Sequence, residues 1–262
     1  MLTKERIRES FSKAAATYDR ASDFQKETGR RLIDKILSEY TPADTVLDVG
    51  MGTGSITQEL ATALKRRIYG CDMAWGMVSF SKNNTSGLSI TQADIEGLPY
   101  KKEVFDIVFS NITYQWAPDL KKAFLEIKRV LKRGGKFYFS ILAKGSLKEL
   151  YETIGIIFKI DPFVNFLPSD KRINEKLEEA GLNIVWLKEE VVKRYYKSCL
   201  DLLRSLKMAG ADRILDANLF GMGKRKLFFD MIEAYDKRFK ERDMAFATYK
   251  VILGCVEKLW QR

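Results

Sequence analysis

Apolar positions divide the chain into two opening helices and a long alternation of strands with helices. Ile7, Phe11, Ala14 or Ala15 and Tyr18 recur at helical spacing, and Leu32, Ile33, Ile36, Leu37 and Tyr40 repeat it after Ser22 and Gln25, a capping-box pair. From Thr45 the period changes. Apolar runs at Val46 to Val49, Ile68 to Cys71, Leu88 to Gln92, Val104 to Phe109 and Lys136 to Leu142 read as strands. Helices fall between them, one marked by Ile56, Leu60, Ala61 and Leu64, another by Leu120, Phe124, Ile127, Val130 and Leu131 and stopped at Gly134 and Gly135. Beyond Leu142 the spacing predicts helices over Ser146 to Lys159 and Ser169 to Ala180, separated by the proline-bearing stretch Asp161 to Pro168. A strand over Asn183 to Lys188, a largely helical block over Tyr196 to Arg242 and a final strand over Ala247 to Val256 complete the chain.

Parallel neighbours need crossover connections, and the crossing helices cover both faces of the sheet. The expected fold is therefore α/β: a Rossmann-like, doubly wound, mostly parallel sheet of seven strands, with N-terminal helices and a helical cap inserted before the last strand. A single domain over residues 1–262 accommodates this plan, with an N-terminal helical segment at 1–40, a cofactor-binding core at 41–195, the cap at 196–245, and the final strand and C-terminus at 246–262. Ligands in such sheets sit at the carboxyl ends of the strands.

The first strand runs into a turn that carries Asp48, Gly50, Gly52 and Gly54. Glycines there permit positive φ and remove every Cβ from the path of a ligand lying against the main chain. The order D-x-G-x-G-x-G is not the dinucleotide fingerprint G-x-G-x-x-G, whose third glycine position is occupied here by Ser55. Acidic residues follow the next strands. Asp72, 24 residues after Asp48 and next to Met73, stands near the offset at which a carboxylate accepts from ribose hydroxyls, and it also suits a helix N-cap. Asp94 and Ile95 follow the third strand, where a carboxylate can accept from an exocyclic amine while the apolar neighbour packs on the ring. Asn111 follows the fourth, with Tyr114, Gln115 and Trp116 beside it.

Composition narrows the chemistry. The chain contains no histidine, so imidazole bases and Ser-His or Cys-His nucleophiles are excluded. Its three cysteines, Cys71, Cys199 and Cys255, lie far apart and form no metal-ligand spacing; no metal and no disulfide framework are expected. No segment approaches a membrane span, and the opening MLTKERIRESF lacks the apolar core of a signal peptide, so a cytoplasmic protein is expected. The net charge is +10, and Val191 to Arg242 carries 13 basic and 7 acidic residues, a surface suited to an anionic partner or simply to solvation. The arginine and aromatic interleaving used on single-stranded RNA is absent.

The glycine turn with Asp72, Asp94 and Asn111 resembles motif I and its companions in the class I S-adenosylmethionine-dependent methyltransferases. FSKAAATYDRAS, SNITYQWAPDL, LLRSLKMAGA and ATYKVI narrow the resemblance to the malonyl-[acyl-carrier protein] O-methyltransferases of biotin synthesis. The resemblance implies S-adenosylmethionine as cofactor, bound by Asp48, Gly50, Gly52, Gly54, Asp72, Met73, Asp94, Ile95 and Asn111. It also implies methyl transfer to the free carboxylate of a malonyl group on acidic acyl carrier protein. That carboxylate is already ionised at neutral pH, given a reference pKa near ~4, so a chain without histidine can use it. Arg204 is expected to grip the carboxylate, Tyr18 to orient cofactor or substrate as a lid residue, and Gln115 to position the methionine or acyl portion. Lys224-Arg225-Lys226 is the expected docking run for the carrier. A monomer without membrane or nucleic-acid partners is expected. Two alternatives are a methyltransferase acting on RNA or another small metabolite, and a non-catalytic assembly factor of the same fold.

Overall fold

The computed structural model describes residues 3–39, 43–160, 167–211 and 224–259. Tyr40, most of the proline-bearing stretch and the middle of the expected cap lie outside them. Two helices, α1 (Lys4–Tyr18) and α2 (Asp23–Ser38), precede β1 (Val46–Val49), α3 (Ser55–Leu64), β2 (Ile68–Asp72), α4 (Trp75–Asn84), β3 (Ser89–Gln92) and β4 (Phe105–Asn111). A 3-10 turn at Tyr114–Trp116 leads to α5 (Leu120–Val130), β5 (Leu131–Leu142), α6 (Lys148–Phe158), α7 (Asp170–Glu179) and β6 (Asn183–Tyr196). The chain closes with α8 (Cys199–Met208), α9 (Arg225–Arg238), β7 (Lys240–Glu241) and β8 (Met244–Glu257).

Seven strands form one continuous sheet in the order β3-β2-β1-β4-β5-β8-β6, and the two-residue β7 pairs with β8 as an eighth. β1 to β5 pair in parallel, whereas β8 runs antiparallel between β5 and β6. The strand order reverses between β1 and β4, so the crevice beyond their carboxyl ends is the natural ligand position. Val46 to Val49 are wholly buried, as an interior parallel strand requires.

Several local expectations are corrected. Ser22 precedes α2, but its side chain makes no capping bond and its hydroxyl is buried without a partner among the described residues. α5 ends before Gly134, because Leu131 is already extended and begins β5. β6 continues eight residues past Lys188, since β8 supplies an antiparallel partner as far as Tyr196. Asp72 does not cap a helix directly after it. Its Oδ1 accepts from Ala74 N at 2.8 Å, and Ala74 itself occupies the N-cap position of α4. Cys71, Cys199 and Cys255 are buried and unpaired, packed as small apolar residues.

Candidate active site

The three glycines after β1 all take left-handed backbone, with φ of +77° at Gly50, +57° at Gly52 and +80° at Gly54. Their surroundings differ. A Cβ on Gly50 would stand 2.2 Å from Thr113 Cγ2, and one on Gly54 would stand 2.3 Å from Ser81 Oγ, so these two are required by packing. At Gly52 the nearest atom is Tyr18 Cε1 at 3.8 Å, and its face opens into a cleft. Gly50 and Met51 both donate backbone N–H bonds to Cys71 O, at 2.8 and 3.0 Å, which pins the turn to the end of β2.

This cleft gathers Gly50, Gly52, Asp72, Met73, Asp94, Ile95 and Asn111 at the carboxyl ends of β1 to β4. Asp72 Oδ2 accepts from Gly52 N at 3.0 Å, and burial pushes its carboxyl up. Asp94 Oδ1 accepts from Glu96 N at 2.9 Å while its Oδ2 accepts from Lys4 Nζ at 2.7 Å. A carboxylate oxygen can accept more than one hydrogen bond, so both aspartates keep capacity toward the cleft. With bare backbone at Gly52, two carboxylates and the apolar flank of Ile95, the wall suits a nucleoside bearing ribose hydroxyls and an exocyclic amine.

Two residues expected in this set lie elsewhere. Gly54 is the left-handed N-cap of α3 and does not line the cleft; it is packed against Ser81. Asp48 lines a separate recess with Gly50, Tyr18 and Asn111 and is bonded to Thr57 Oγ1 at 2.6 Å. Asn111 does line the cleft, but its amide also braces the scaffold: Nδ2 donates to Gln25 O at 2.8 Å and Oδ1 accepts from Ser140 Oγ at 2.7 Å.

A second cavity of about 310 Å³ adjoins the cleft. Phe11, Tyr18, Ile112 and Trp116 line both and form the partition between them. Phe11 and Trp116 meet edge to face at 5.3 Å, which stiffens that partition. Tyr18 reaches cleft, cavity and recess alike, and burial beside Asp72 pushes its phenol up. Gln115 lines the second cavity while nearly inaccessible. Its Nε2 donates to Ile112 O at 2.8 Å, and its buried Oε1 accepts nothing among the described residues. An unsatisfied buried carbonyl is costly and marks a place where a ligand donor fits.

Arg20, Lys193 and Arg194 also line this cavity, and position along the sequence alone did not single them out. Arg194 is paired with Glu27, and Lys193 with Glu241 at 2.6 Å. Arg20 has no ion pair among the described residues. Arg204 is not brought to the cavity. On α8 the adjacent Ser205, with Leu206 and Ala209, faces inward, and the helical turn of about 100° per residue sends Arg204 to the outer side, two-thirds exposed and 3.4 Å from Asp201.

Among the described residues, no cluster of His, Cys, Asp and Glu suits a metal ion, and no helix is long and apolar enough to cross a membrane. Residues 47–139 match the family described as a methyltransferase domain. Over 264 residues the chain is 31% identical to a malonyl-[acyl-carrier protein] O-methyltransferase of Geobacter sulfurreducens, covering 97% of this chain and 98% of the relative. It is 34% identical over 254 residues to the protein of the same name from Hahella chejuensis, covering 95% and 88%. Among solved structures, a geranyl diphosphate methyltransferase in complex with SAM aligns with a TM-score of 0.54 and 16% identity over 89% of this chain and 85% of that one, a likeness of fold.

Proposed function

From the premise that the chain belongs to the malonyl-[acyl-carrier protein] O-methyltransferase family and is an S-adenosylmethionine-dependent O-methyltransferase, we propose that its acceptor is the free carboxylate of a malonyl thioester on acyl carrier protein. The observation that carries this reading is the second cavity. It shares a wall with the cofactor cleft at Tyr18 and Trp116, holds the unsatisfied Gln115 carbonyl, and has a cation, Arg20, uncommitted among the described residues.

S-Adenosylmethionine, when bound, supplies an activated methyl group and leaves as S-adenosylhomocysteine. In this reading Gly50, Gly52, Asp72, Met73, Asp94, Ile95 and Asn111 hold it, with Asp72 accepting from the ribose and Asp94 from the adenine amine. The malonyl carboxylate is ionised at neutral pH, so the protein needs no general base, and rate comes from alignment and exclusion of water. Tyr18 and Gln115 orient the two partners across the partition. Arg20 at the cavity wall is the cation proposed for the malonyl carboxylate, and Arg204 on the outer face of α8 for the acidic carrier. A guanidinium can hold one carboxylate oxygen while the other stays free.

Docking of an acidic carrier protein is supported by Lys224, Arg225 and Lys226. All three are exposed at the start of α9, where the first turn has no acidic residue. Cations at a helix N-terminus oppose the helix dipole, each by ~0.3–1 kcal/mol, so the run is unfavourable for the helix alone and suits an anionic partner.

The test is methyl transfer to malonyl-carrier protein, malonyl-coenzyme A, free fatty acids and RNA under one set of conditions, with the carrier reaction repeated in rising salt. Transfer to the malonyl thioester alone, weakened by salt on the carrier, is expected. Transfer to RNA and not to the malonyl thioester overturns the proposal.

A further inference from the structure

Lys4, at the first turn of α1, reaches across the cofactor cleft to its far rim. Its Nζ lies 2.7 Å from Asp94 Oδ2 and 2.8 Å from Glu96 Oε2. The Glu96 side chain is only 8% exposed, and its other oxygen accepts from Asp119 N at 2.9 Å, so the carboxylate is fixed from behind and offers Lys4 a rigid anchor.

The same helix roofs the cleft along its length. Lys4, Ile7, Phe11 and Tyr18 all line it, at spacings of three, four and seven residues that place them on one helical face. At a rise of 1.5 Å per residue, the helix from Lys4 to Tyr18 spans roughly 21 Å. Tyr18 thus stands over Gly52 at one end and Lys4 over Asp94 at the other. Beneath this roof the cleft encloses about 60 Å³. Ligand pockets generally hold ~300 Å³ or more, so the cleft widens to take a nucleoside. Farther along, α1 packs closely on α4: Ala15 is buried with Ala74 and Met77, Ser12 Oγ accepts from Gly76 N at 3.2 Å, and Thr17 Oγ1 donates to Met208 O at 3.0 Å, so opening at the rim falls to the first turn, at Lys4. The paired carboxylates on Lys4 are the charged attachment at the cleft rim.

We propose that Lys4 is the catch of a cofactor lid: its ion pairs with Asp94 and Glu96 hold the first turn of α1 down over bound S-adenosylmethionine or S-adenosylhomocysteine and set the rate at which they leave. Lys4 is a positioning residue, acting through the helix and through the Asp94 carboxylate. The inference rests on the reading of this cleft as the cofactor site.

Release of radiolabelled S-adenosylhomocysteine from the full chain, chased with unlabelled ligand, tests the catch. Lys4→Met should speed release on the order of tenfold, as loss of a half-buried, doubly paired charge implies, and Lys4→Arg should restore most of the difference. Glu96→Gln leaves α1 and Asp94 untouched and retains an acceptor for Asp119 N, and it should speed release by a smaller factor. The inosine analogue of the ligand, which lacks the amine, separates the two readings. Wild type should bind it more weakly if Asp94 reads adenine, while Lys4→Met should accelerate release of both ligands by the same factor. Unchanged or slower release in both Lys4→Met and Glu96→Gln overturns the catch. Equal affinity of wild type for the two ligands overturns the Asp94 assignment and leaves the catch standing.

Discussion

Tyr18 lies over Gly52, its Cε1 3.8 Å from the position a Gly52 β-carbon would take, so the last residue of the first helix closes the cleft above the barest point of the glycine turn. Gly52 is thus the glycine of the turn whose face stays open to the cleft, whereas Thr113 crowds Gly50, which also lines it, and Ser81 crowds Gly54.

Substitution separates these roles. Gly52→Ala takes left-handed backbone at a cost of about 1–2 kcal/mol but fits beneath Tyr18, so the protein should fold and lose most of its affinity for S-adenosylmethionine. Gly50→Ala adds the collision with Thr113 and should cost about 3 kcal/mol or more. Urea denaturation and calorimetric titration with the cofactor distinguish the two; equal stability losses would contradict the assignment.

Burial raises the Asp48 carboxyl to about 7, against the Thr57 hydroxyl, whose bond favours the charged form. Between pH ~4, where the unfolded carboxyl ionises, and pH 7 the folded chain keeps a proton that the unfolded chain has released. The contribution of Asp48 to stability is therefore greatest at low pH and is lost as pH rises through that window. Asp48→Asn should remove this slope, so the variant gains on wild type as pH increases. Parallel pH profiles of the urea midpoint would refute it.

For the acceptor, Arg20→Ala and Arg204→Ala should each raise KM for malonyl-carrier protein by about tenfold, as loss of a charged hydrogen bond implies, with cofactor affinity unchanged. Arg20 lines the cavity and Arg204 stands outside it, so Arg20→Ala should also raise KM for the smaller malonyl-coenzyme A. Steady-state kinetics on both thioesters check this.

Glu149 is buried between α6 and β8, where its carboxylate accepts both the backbone N–H of Thr248, at 3.0 Å, and the Thr248 hydroxyl. Glu149→Ala leaves that N–H buried without a partner and should destabilise the fold by about 2–3 kcal/mol. Glu149→Gln keeps an acceptor and should cost less. Chemical denaturation reads both, and an alanine variant as stable as wild type would refute the role.

Much of the architecture was legible in the sequence because it is local. Short apolar runs marked β1, β2 and β4, period-3.6 spacing marked α3 and α5, and the aspartates after successive strands fall at the sheet's carboxyl edge because parallel strands deliver their ends to one side. The β6 extension was hidden, since Glu189 to Tyr196 sets charged pairs beside apolar pairs with no period-2 alternation, and β8 beside it supplies the pairing. Residue types and spacing by themselves determined a parallel α/β sheet, a glycine turn that exposes backbone, and chemistry without imidazole. Tertiary structure decided which glycine keeps its face open to the cleft, that Arg20 and not Arg204 lines the cavity, and that Lys4 meets Asp94 from 90 residues away. Each of those depends on how helices lie across the sheet, and packing between distant elements leaves no periodic mark on either segment.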